Sequence, residues 1–309
     1  MVIKVFDHVL DRHGFLYVVR SIKDLKHPRT PVIYIPSGRF TGRLFENKNY
    51  IKLADETGFV FVKENFKDLL YVNPISKEEY VSVNLESITK IFDPVSKLGE
   101  LMVKDSKLKD FVEILLNEGV ERKDIGIIGS NLVGFENQNF HDFDFVIYGR
   151  DNFMKLRNSS FRQNLEYLTE EQKRKIAIEV GLKNNPIGLE NILKITSRRQ
   201  KSVMMFGNKE FSLKFADRIY EIFYDYPDLE PEKEMIFKGE LIEDDSAYFP
   251  PYTYKVLTER KIKLQISTYS FAFIGSSQKG DNVEVFGTKR KGENLVTLDK
   301  PYHYLVSLK

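Results

Sequence analysis

Two aspartates, Asp142 and Asp144, open an apolar stretch, and eleven residues separate them from a preceding pair, Gly129-Ser130. Side chains alternate along a strand, so both carboxylates are expected on one face. Carboxylate oxygens are ligands that Mg²⁺ prefers, and Mn²⁺ accepts the same donors. Gly129 permits a tight turn, and Ser130 can cap a helix whose N–H groups favour a phosphate. The pattern predicts a metal-dependent phosphoryl or nucleotidyl transfer site.

Two other interpretations of the same residues remain open. Aspartate pairs with this spacing are common on protein surfaces, so the pattern is also compatible with a helix cap beside solvated carboxylates. A sugar-nucleotide glycosyltransferase also holds a metal with two such aspartates. That chemistry does not require the Gly-Ser turn and short helix before the pair, so we rank it last.

The order Gly129-Ser130, then Asp142-x-Asp144 at the start of an apolar strand, resembles the signature of the DNA polymerase β-like nucleotidyltransferase superfamily. Residues 131–135 and 142–149 are similar to the core of a group of archaeal predicted nucleotidyltransferases. The resemblance implies that the Gly-Ser turn binds a triphosphate and that the aspartates bind Mg²⁺ or Mn²⁺. It also implies transfer of a nucleoside monophosphate from an NTP to an acceptor, for which RNA is one candidate.

Active members of that superfamily add a third carboxylate from a neighbouring strand, and this sequence departs from the pattern. The corresponding stretch, residues 210–216, has Ser212 at the centre of its polar face. Glu210 and Asp217 are the only carboxylates within or beside it, and we assign Glu210 as the candidate third catalytic carboxylate. If neither residue serves, the chain is expected to bind a nucleotide or RNA without turnover.

Basic residues also cluster outside this motif. Arg198, Arg199 and Lys201 could receive a triphosphate or an RNA backbone, or could form a solvated basic face. In the tail, Lys289–Lys291 are expected in a loop near several aromatic residues. These are compatible with an oligonucleotide-binding barrel or with a simple barrel core; the aromatic residues are Tyr269, Phe271, Phe273 and Phe286.

The elements that would position these residues divide the chain into an α+β arrangement of three domains. Residues 1–95 are predicted to be strand-rich, with strands near 15–20, 31–36, 58–62 and 80–83 and a short helix over 87–92. Residues 96–226 are predicted to form a nucleotidyltransferase-like mixed sheet with helices. Residues 235–309 are predicted to form a small β-barrel, with strands near 261–267, 270–274, 282–286 and 294–298.

Helix and linker signals complete this division. Asp105 is a helix cap before apolar residues at helical spacing, and Gly119 ends that helix. Strands are expected at 125–128 and 143–148, a helix from Thr169 to about Val180, and a hairpin over 203–215. The acidic, proline-containing stretch 225–234 is predicted to be a linker.

Composition narrows the class of protein. The chain has 309 residues, no cysteine and a net charge of +2. The absence of cysteine excludes disulfides, thiolate zinc sites and cysteine nucleophiles. The five histidines show no metal-ligand spacing. No run approaches the length of a membrane span and no signal peptide is evident, so we expect a cytoplasmic protein without a membrane partner. The oligomeric state is not predicted.

Overall fold

The computed structural model describes most of the chain as two compact units. The described residues are 3–22, 26–135, 142–159, 161, 169, 171, 192, 195, 203–206, 209–218, 228–300 and 302–308. The first unit comprises Met1–Val72, Glu79–Glu166 and Met204–Tyr224, and the second comprises Asn73–Glu78, Tyr167–Val203 and Asp225–Lys309. The described structure is mixed α and β and rich in strands, as predicted. None of the described helices combines the length and the apolar character that crossing a bilayer requires.

An antiparallel six-stranded sheet forms the N-terminal part of the first unit, in the order β4-β5-β3-β2-β1-β8. A separate hairpin pairs β6 with β7. The strands are β1 His8–Asp11, β2 Leu16–Val18, β3 Val32–Ser37, β4 Leu44–Phe45, β5 Lys48–Ala54, β6 Leu70–Val72, β7 Glu79–Val81 and β8 Ile88–Phe92.

One face of the six-stranded sheet packs against Val133 and Phe135, which follow the Gly-Ser turn. Phe135 lies within 5.2 Å of the Tyr34 ring and 5.7 Å of the Tyr50 ring, measured between centroids. These apolar contacts hold the sheet next to the predicted site. Sequence patterns had no means of indicating this, because the contacting residues are about 100 positions apart.

The predicted central region contains a four-stranded sheet in the order β11-β12-β10-β9. Its strands are β9 Ile125–Ile128, β10 Phe143–Tyr148, β11 Val203–Phe206 and β12 Lys209–Ala216. β10 runs antiparallel to β9 and parallel to β12. Each of these strands was predicted from its apolar run. The described part of the predicted helix after Thr169 is too short to test it, and most of that segment lies outside the described residues.

Helices flank the four-stranded sheet. They are α2 Pro94–Met102, α3 Ser106–Asn117, α4 Ser130–Val133 and α5 Arg150–Asn158, whereas α1 Asp55–Asn65 packs against β5 and β3 of the six-stranded sheet. The helix predicted after Asp105 is confirmed as α3, and Asp105 Oδ1 accepts a hydrogen bond from the Leu108 N–H at 3.0 Å. The Phe111 ring stacks on Phe211 and contacts Phe145, so α3 covers the face of the sheet opposite the aspartates.

Two predictions in the N-terminal part are wrong. Residues 58–62 lie in α1 rather than in a strand, and residues 88–92 form β8 rather than a helix. A short apolar run has the same composition in a buried strand and in a helix, so tertiary packing decides between them. In α1, a Cβ atom on Gly58 would lie 3.2 Å from the Leu53 carbonyl, a close approach that favours glycine there.

The second unit contains the predicted C-terminal barrel. Strands β13, β14, β15, β17 and β16 close through the pairing of β13 with β16, and β18 adds to β16. The strands are β13 Pro231–Glu243, β14 Tyr252–Thr258, β15 Lys263–Thr268, β16 Asn282–Arg290, β17 Leu295–Thr297 and β18 Tyr304–Ser307. The α+β class and the small barrel are therefore confirmed, whereas the nucleotidyltransferase-like nature of the four-stranded sheet stays a prediction.

Three expectations for the tail need correction. Residues 231–234, predicted as linker, begin β13, with Pro231 at the first position, where its missing N–H is tolerated. Phe271–Phe273 is a 3-10 turn rather than a strand. Lys289 and Arg290 lie in β16 rather than in a loop, and the buried Arg290 pairs with Asp299 at 2.5 Å, so it does not present its charge to a nucleic acid.

The domain boundaries drawn from the sequence stay a prediction. Residues of the predicted N-terminal and central domains are grouped in the first unit. That grouping brings side chains of the six-stranded sheet to the candidate site.

Candidate functional site

The candidate site lies where β9 ends and β10 begins. Asp144 is paired with Ile128 on β9 and with Ser212 on β12, so its carboxylate occupies the middle of the sheet. Asp142 lies two positions earlier, just before β10, and both aspartates are half-buried. Farther along the same face, the Tyr148 hydroxyl donates to the Val5 carbonyl at 3.0 Å. The side chains of this strand thus alternate between the two faces of the sheet, as predicted.

Gly129 occupies the turn in a conformation that only glycine adopts readily. Its φ is 69° and its ψ is −146°. A Cβ atom at this position would lie 2.8 Å from Asp144 Oδ2. The glycine therefore allows both the turn and the close approach of the backbone to the carboxylate. Ser130 follows as the first residue of α4, where the first N–H groups of a helix have no partner within it.

The side chain of Asn131 connects α4 to the residues before β10. Its Nδ2 donates to the Asp142 carbonyl at 2.8 Å. Asp142 is therefore positioned from both sides, by β10 after it and by α4 across the site. In the sequence, only the position of Asn131 directly after the Gly-Ser pair hints at this role, which was not predicted.

Ser212 faces Asp144 across the sheet. The Ser212 hydroxyl donates to Asp144 Oδ1, and Lys214 Nζ donates to the same hydroxyl at 3.3 Å. Ser212 is buried, and its bond fixes the orientation of the Asp144 carboxylate. The position nearest Asp144 on β12 thus carries a hydroxyl where the superfamily resemblance implies a carboxylate.

Glu210 and Asp217 lie on opposite sides of that position. Glu210 lies in β12 two residues before Ser212, so it shares the face of Ser212 by strand alternation. Asp217 follows the other end of β12 and accepts two hydrogen bonds from the Arg150 guanidinium, at 2.7 and 3.1 Å. At about 3.3 Å per residue, the five residues from Ser212 to Asp217 place it roughly 16 Å along the strand from Asp144. Asp217 therefore forms an ion pair with Arg150 that is distant from the site.

The carboxyl group of Asp142 has a raised pKa. Burial raises the pKa of its carboxyl group, and the nearby charge of Asp144 raises it further. The positive charges of Lys52 and Arg43 lower it. Because these positive charges only partly compensate the two close carboxylates, binding of a cation beside them is electrostatically favourable.

A buried histidine, His8, lies on the side of the six-stranded sheet that faces the candidate site. His8 is 1% exposed, and its Nδ1 lies 3.1 Å from the Phe6 carbonyl. Burial lowers its pKa to about 3, the charges of Arg20 and Lys52 act in the same direction, and Asp144 opposes them. His8 is therefore neutral at physiological pH. No sequence pattern indicates a role for His8, Arg43 or Lys52, because their proximity to the aspartates depends on sheet packing.

The donor set fits a divalent cation, because Mg²⁺ is commonly held by one or two carboxylates, with water and substrate phosphates as its other ligands. Asp142 and Asp144 supply hard oxygen ligands on one strand face. Within the described part of the chain, no group of three or more histidine, aspartate or glutamate side chains is arranged to hold a metal ion. Glu210 thus does not complete a three-carboxylate group with the two aspartates here, and its role stays a prediction. The predicted basic cluster Arg198, Arg199 and Lys201 lies outside the described residues.

Comparison with known proteins adds a distant relative and no functional assignment. Over 314 aligned residues, the chain is 24% identical to an uncharacterized protein of Methanocaldococcus jannaschii. The alignment covers 93% of this chain and 90% of that protein, so the likeness extends through both units. No protein-family model matches the chain, and no solved structure matches it significantly. The evidence on function therefore comes from the site itself.

A buried carboxyl group in the first unit, that of Asp7, predicts a pH effect on stability. Asp7 is buried, accepts a hydrogen bond from the Lys4 N–H at 2.8 Å, and has its pKa raised to about 7 by burial. In the folded state the group keeps its proton between about pH 4 and pH 7, whereas the unfolded state releases it. This contribution to the free energy of unfolding is present below about pH 4 and is lost as pH rises through 7.

We expect Asp7→Asn to remove this pH dependence. Relative to the variant, the wild type should lose on the order of 3 kcal/mol of unfolding free energy between pH 4 and pH 8. Denaturant unfolding of both proteins across that range measures the difference. Parallel pH profiles for the two proteins would show that Asp7 titrates normally.

Proposed function

We propose that this chain is a metal-dependent nucleotidyltransferase, which moves a nucleoside monophosphate from an NTP to an acceptor. The observation that carries the proposal is the placement of Asp142 and Asp144 two positions apart at the start of β10, with Asp144 beside Gly129 and the Asp142 carbonyl bonded to Asn131. A carboxylate pair beside a turn that opens a helix without a side-chain cap suits a metal-bound triphosphate.

Each residue of the site has a distinct role in this proposal. Asp142 and Asp144 would hold Mg²⁺ or Mn²⁺, which when bound neutralises phosphate charge and orients the triphosphate. The backbone of Gly129 and Ser130 would bind the β and γ phosphates. Ser212 keeps the Asp144 carboxylate in place through its hydrogen bond. Catalysis would then consist mainly of positioning and charge compensation.

The basic side chains of the six-stranded sheet support an anionic ligand. Lys52 and Arg43 bring positive charge to the side of Asp142, as their effect on its pKa shows. Lys52 is exposed on β5, so it can meet a ligand without losing an internal contact of the core. A triphosphate in complex with Mg²⁺ keeps net negative charge, which these cations would attract.

A direct experiment tests the activity. Purified protein is incubated with Mg²⁺ or Mn²⁺, each labelled NTP in turn, and RNA, protein and small-molecule acceptors, and incorporated label is counted. Label that appears with the wild type and not with Asp144→Asn supports transfer. If no acceptor is labelled although MgNTP binds, transfer is excluded for those acceptors.

A second candidate function is nucleotide or RNA binding without turnover. Ser212 favours it, because a hydroxyl stands opposite Asp144 where active members of the resembled superfamily supply a carboxylate. In that case the two aspartates would retain one cation and one nucleotide, and no chemical step would follow.

Ser212→Asp distinguishes these candidates. A third carboxylate beside Asp144 should increase Mg²⁺ affinity about tenfold, because each added anionic ligand strengthens a hard-cation site. We expect the added charge to slow or leave unchanged an enzyme that already has its ligands, and to create incorporation in a protein that only binds. Calorimetry and the label assay on Ser212→Asp, with Ser212→Asn as the uncharged control, measure both effects. Unaltered Mg²⁺ affinity in Ser212→Asp would contradict a cation site at Asp144.

A further inference from the structure

The connection from β3 to β5 carries an exposed aromatic ring among positive charges. We call residues 37–52 the Phe40 hairpin. Phe40 is 87% exposed, and Arg39, Lys48 and Lys52 are also exposed. The hairpin has four basic residues and one acidic residue, a net charge of +3, whereas the whole chain carries +2. Much of the excess positive charge is therefore concentrated here.

The single acidic residue of the Phe40 hairpin is already engaged. Glu46 accepts a hydrogen bond from Lys90 at 3.4 Å, and Lys90 is also 4.8 Å from the Phe92 ring centroid. Lys90 comes from β8, at the other end of the strand order, and its contact with Glu46 adds a positive charge beside the hairpin. An incoming polyanion would thus meet basic groups with little opposing charge.

Internal hydrogen bonds hold the loop that presents Phe40. Thr41 Oγ1 donates to the Tyr50 carbonyl at 2.7 Å, and the Tyr50 N–H donates to the Arg43 carbonyl at 2.9 Å. On the inner side, Phe45 and Tyr50 are buried in the cluster that includes Phe135. The loop therefore has an anchored base, and the ring of Phe40 projects from it at little further entropic cost on binding.

The hairpin lies beside the candidate site. Lys52 pairs across the sheet with Tyr34, whose ring packs on Phe135 at the end of the Gly-Ser turn segment. Tyr50 of the hairpin also packs on the Phe135 ring, with 5.7 Å between the ring centroids. A chain lying along the hairpin would thus lie beside the segment that follows the Gly-Ser turn.

We propose that the Phe40 hairpin binds single-stranded nucleic acid, with one base stacked on Phe40 and phosphates at Arg39, Lys48 and Lys52. Every base has a π-face that can stack on an exposed aromatic ring, and in a single strand that face is available. The positive charges of the hairpin would lie along the phosphate backbone. The further step, that the bound strand end is the acceptor, rests on the proposed function. Binding itself does not, because it needs neither metal nor NTP.

Phe40→Trp provides a direct readout of stacking. The chain has no tryptophan, so this substitution creates a single fluorophore at the proposed contact. We expect its emission to be quenched in a saturable way by a single-stranded oligonucleotide without NTP. RNA and DNA oligonucleotides of one sequence are titrated in parallel; tighter RNA binding identifies RNA, and equal binding identifies recognition through the bases and phosphates that both share. No quenching by either strand overturns the proposal.

Affinity measurements on matched variants complete the test. Phe40→Ala should weaken binding about 10- to 100-fold, as loss of a base–aromatic stack does. Arg39→Ala should weaken binding and reduce the salt slope by about 0.7. Val103→Ala and Lys109→Ala remove an exposed apolar side chain just after α2 and an exposed basic side chain on α3, and both should bind as the wild type does.

Three outcomes would contradict the nucleic-acid assignment. These are equal losses in Phe40→Ala and Val103→Ala, a preference for duplex over single strand, and equal affinity for a polyglutamate peptide. Circular dichroism melts confirm that each variant folds. If quenching is intact but no label is incorporated, the proposed transfer fails while the binding surface stands.

Discussion

The double substitution Asp142→Asn and Asp144→Asn is expected to abolish metal-dependent NTP binding. Both carboxylates lie on one strand face beside Gly129, and no described acidic or histidine side chain joins them in a group of three. Removing both charges removes the ligands that would compensate Mg²⁺, so we expect a loss of at least about 100-fold in affinity, roughly 3 kcal/mol. Calorimetry with MgATP on the wild type and the double variant measures it.

The fold should survive this change. Burial and the charge of Asp144 raise the pKa of Asp142, which means that the ionised pair costs stability in the absence of a cation. The double variant is therefore expected to melt at or above the temperature of the metal-free wild type. Asp110→Asn, an exposed carboxylate on α3, is the matched control and should bind MgATP normally. Unchanged MgATP affinity in the double variant would refute the metal site.

Gly129→Ala is expected to damage both stability and ligand binding. A φ of 69° with a ψ of −146° is a conformation that residues with a Cβ avoid, at a cost of about 1–3 kcal/mol. The added Cβ would also lie 2.8 Å from Asp144 Oδ2, so the carboxylate must shift away from its hydrogen bond with Ser212. We expect MgATP affinity to fall about tenfold or more, since ligand geometry is disturbed along with the turn.

Gly134→Ala separates backbone strain from the effect on Asp144. Gly134 also has a positive φ, 78°, but no atom lies within 4 Å of the Cβ that alanine would add. This variant should lose about 1 kcal/mol of unfolding free energy and keep its MgATP affinity. Denaturant unfolding and calorimetry on both variants provide the comparison. Equal MgATP affinities in Gly129→Ala and Gly134→Ala would show that the turn does not position Asp144.

Local sequence signals predicted elements where a strong pattern coincided with a cap or a turn. The α3 helix is one example: Asp105 caps it, and Leu108, Phe111 and Leu115 recur at the spacing that buries one face. Residues 58–62 and 88–92 carried only short apolar runs, and both were assigned wrongly. Such runs satisfy either element, and the choice between them was made by contacts with distant parts of the chain.

The candidate site divides in the same way. The sequence alone determined that Asp142 and Asp144 share a strand face behind Gly129, because alternation and turn chemistry are local properties of the backbone. The tertiary structure alone decided what surrounds them: Ser212 opposite Asp144, and Lys52 near Asp142. These neighbours come from strand register and from the packing of one sheet on another, where residues about 70 to 90 positions apart meet. No periodicity within one segment encodes such a meeting, so the partners of the aspartates were visible only in the folded chain.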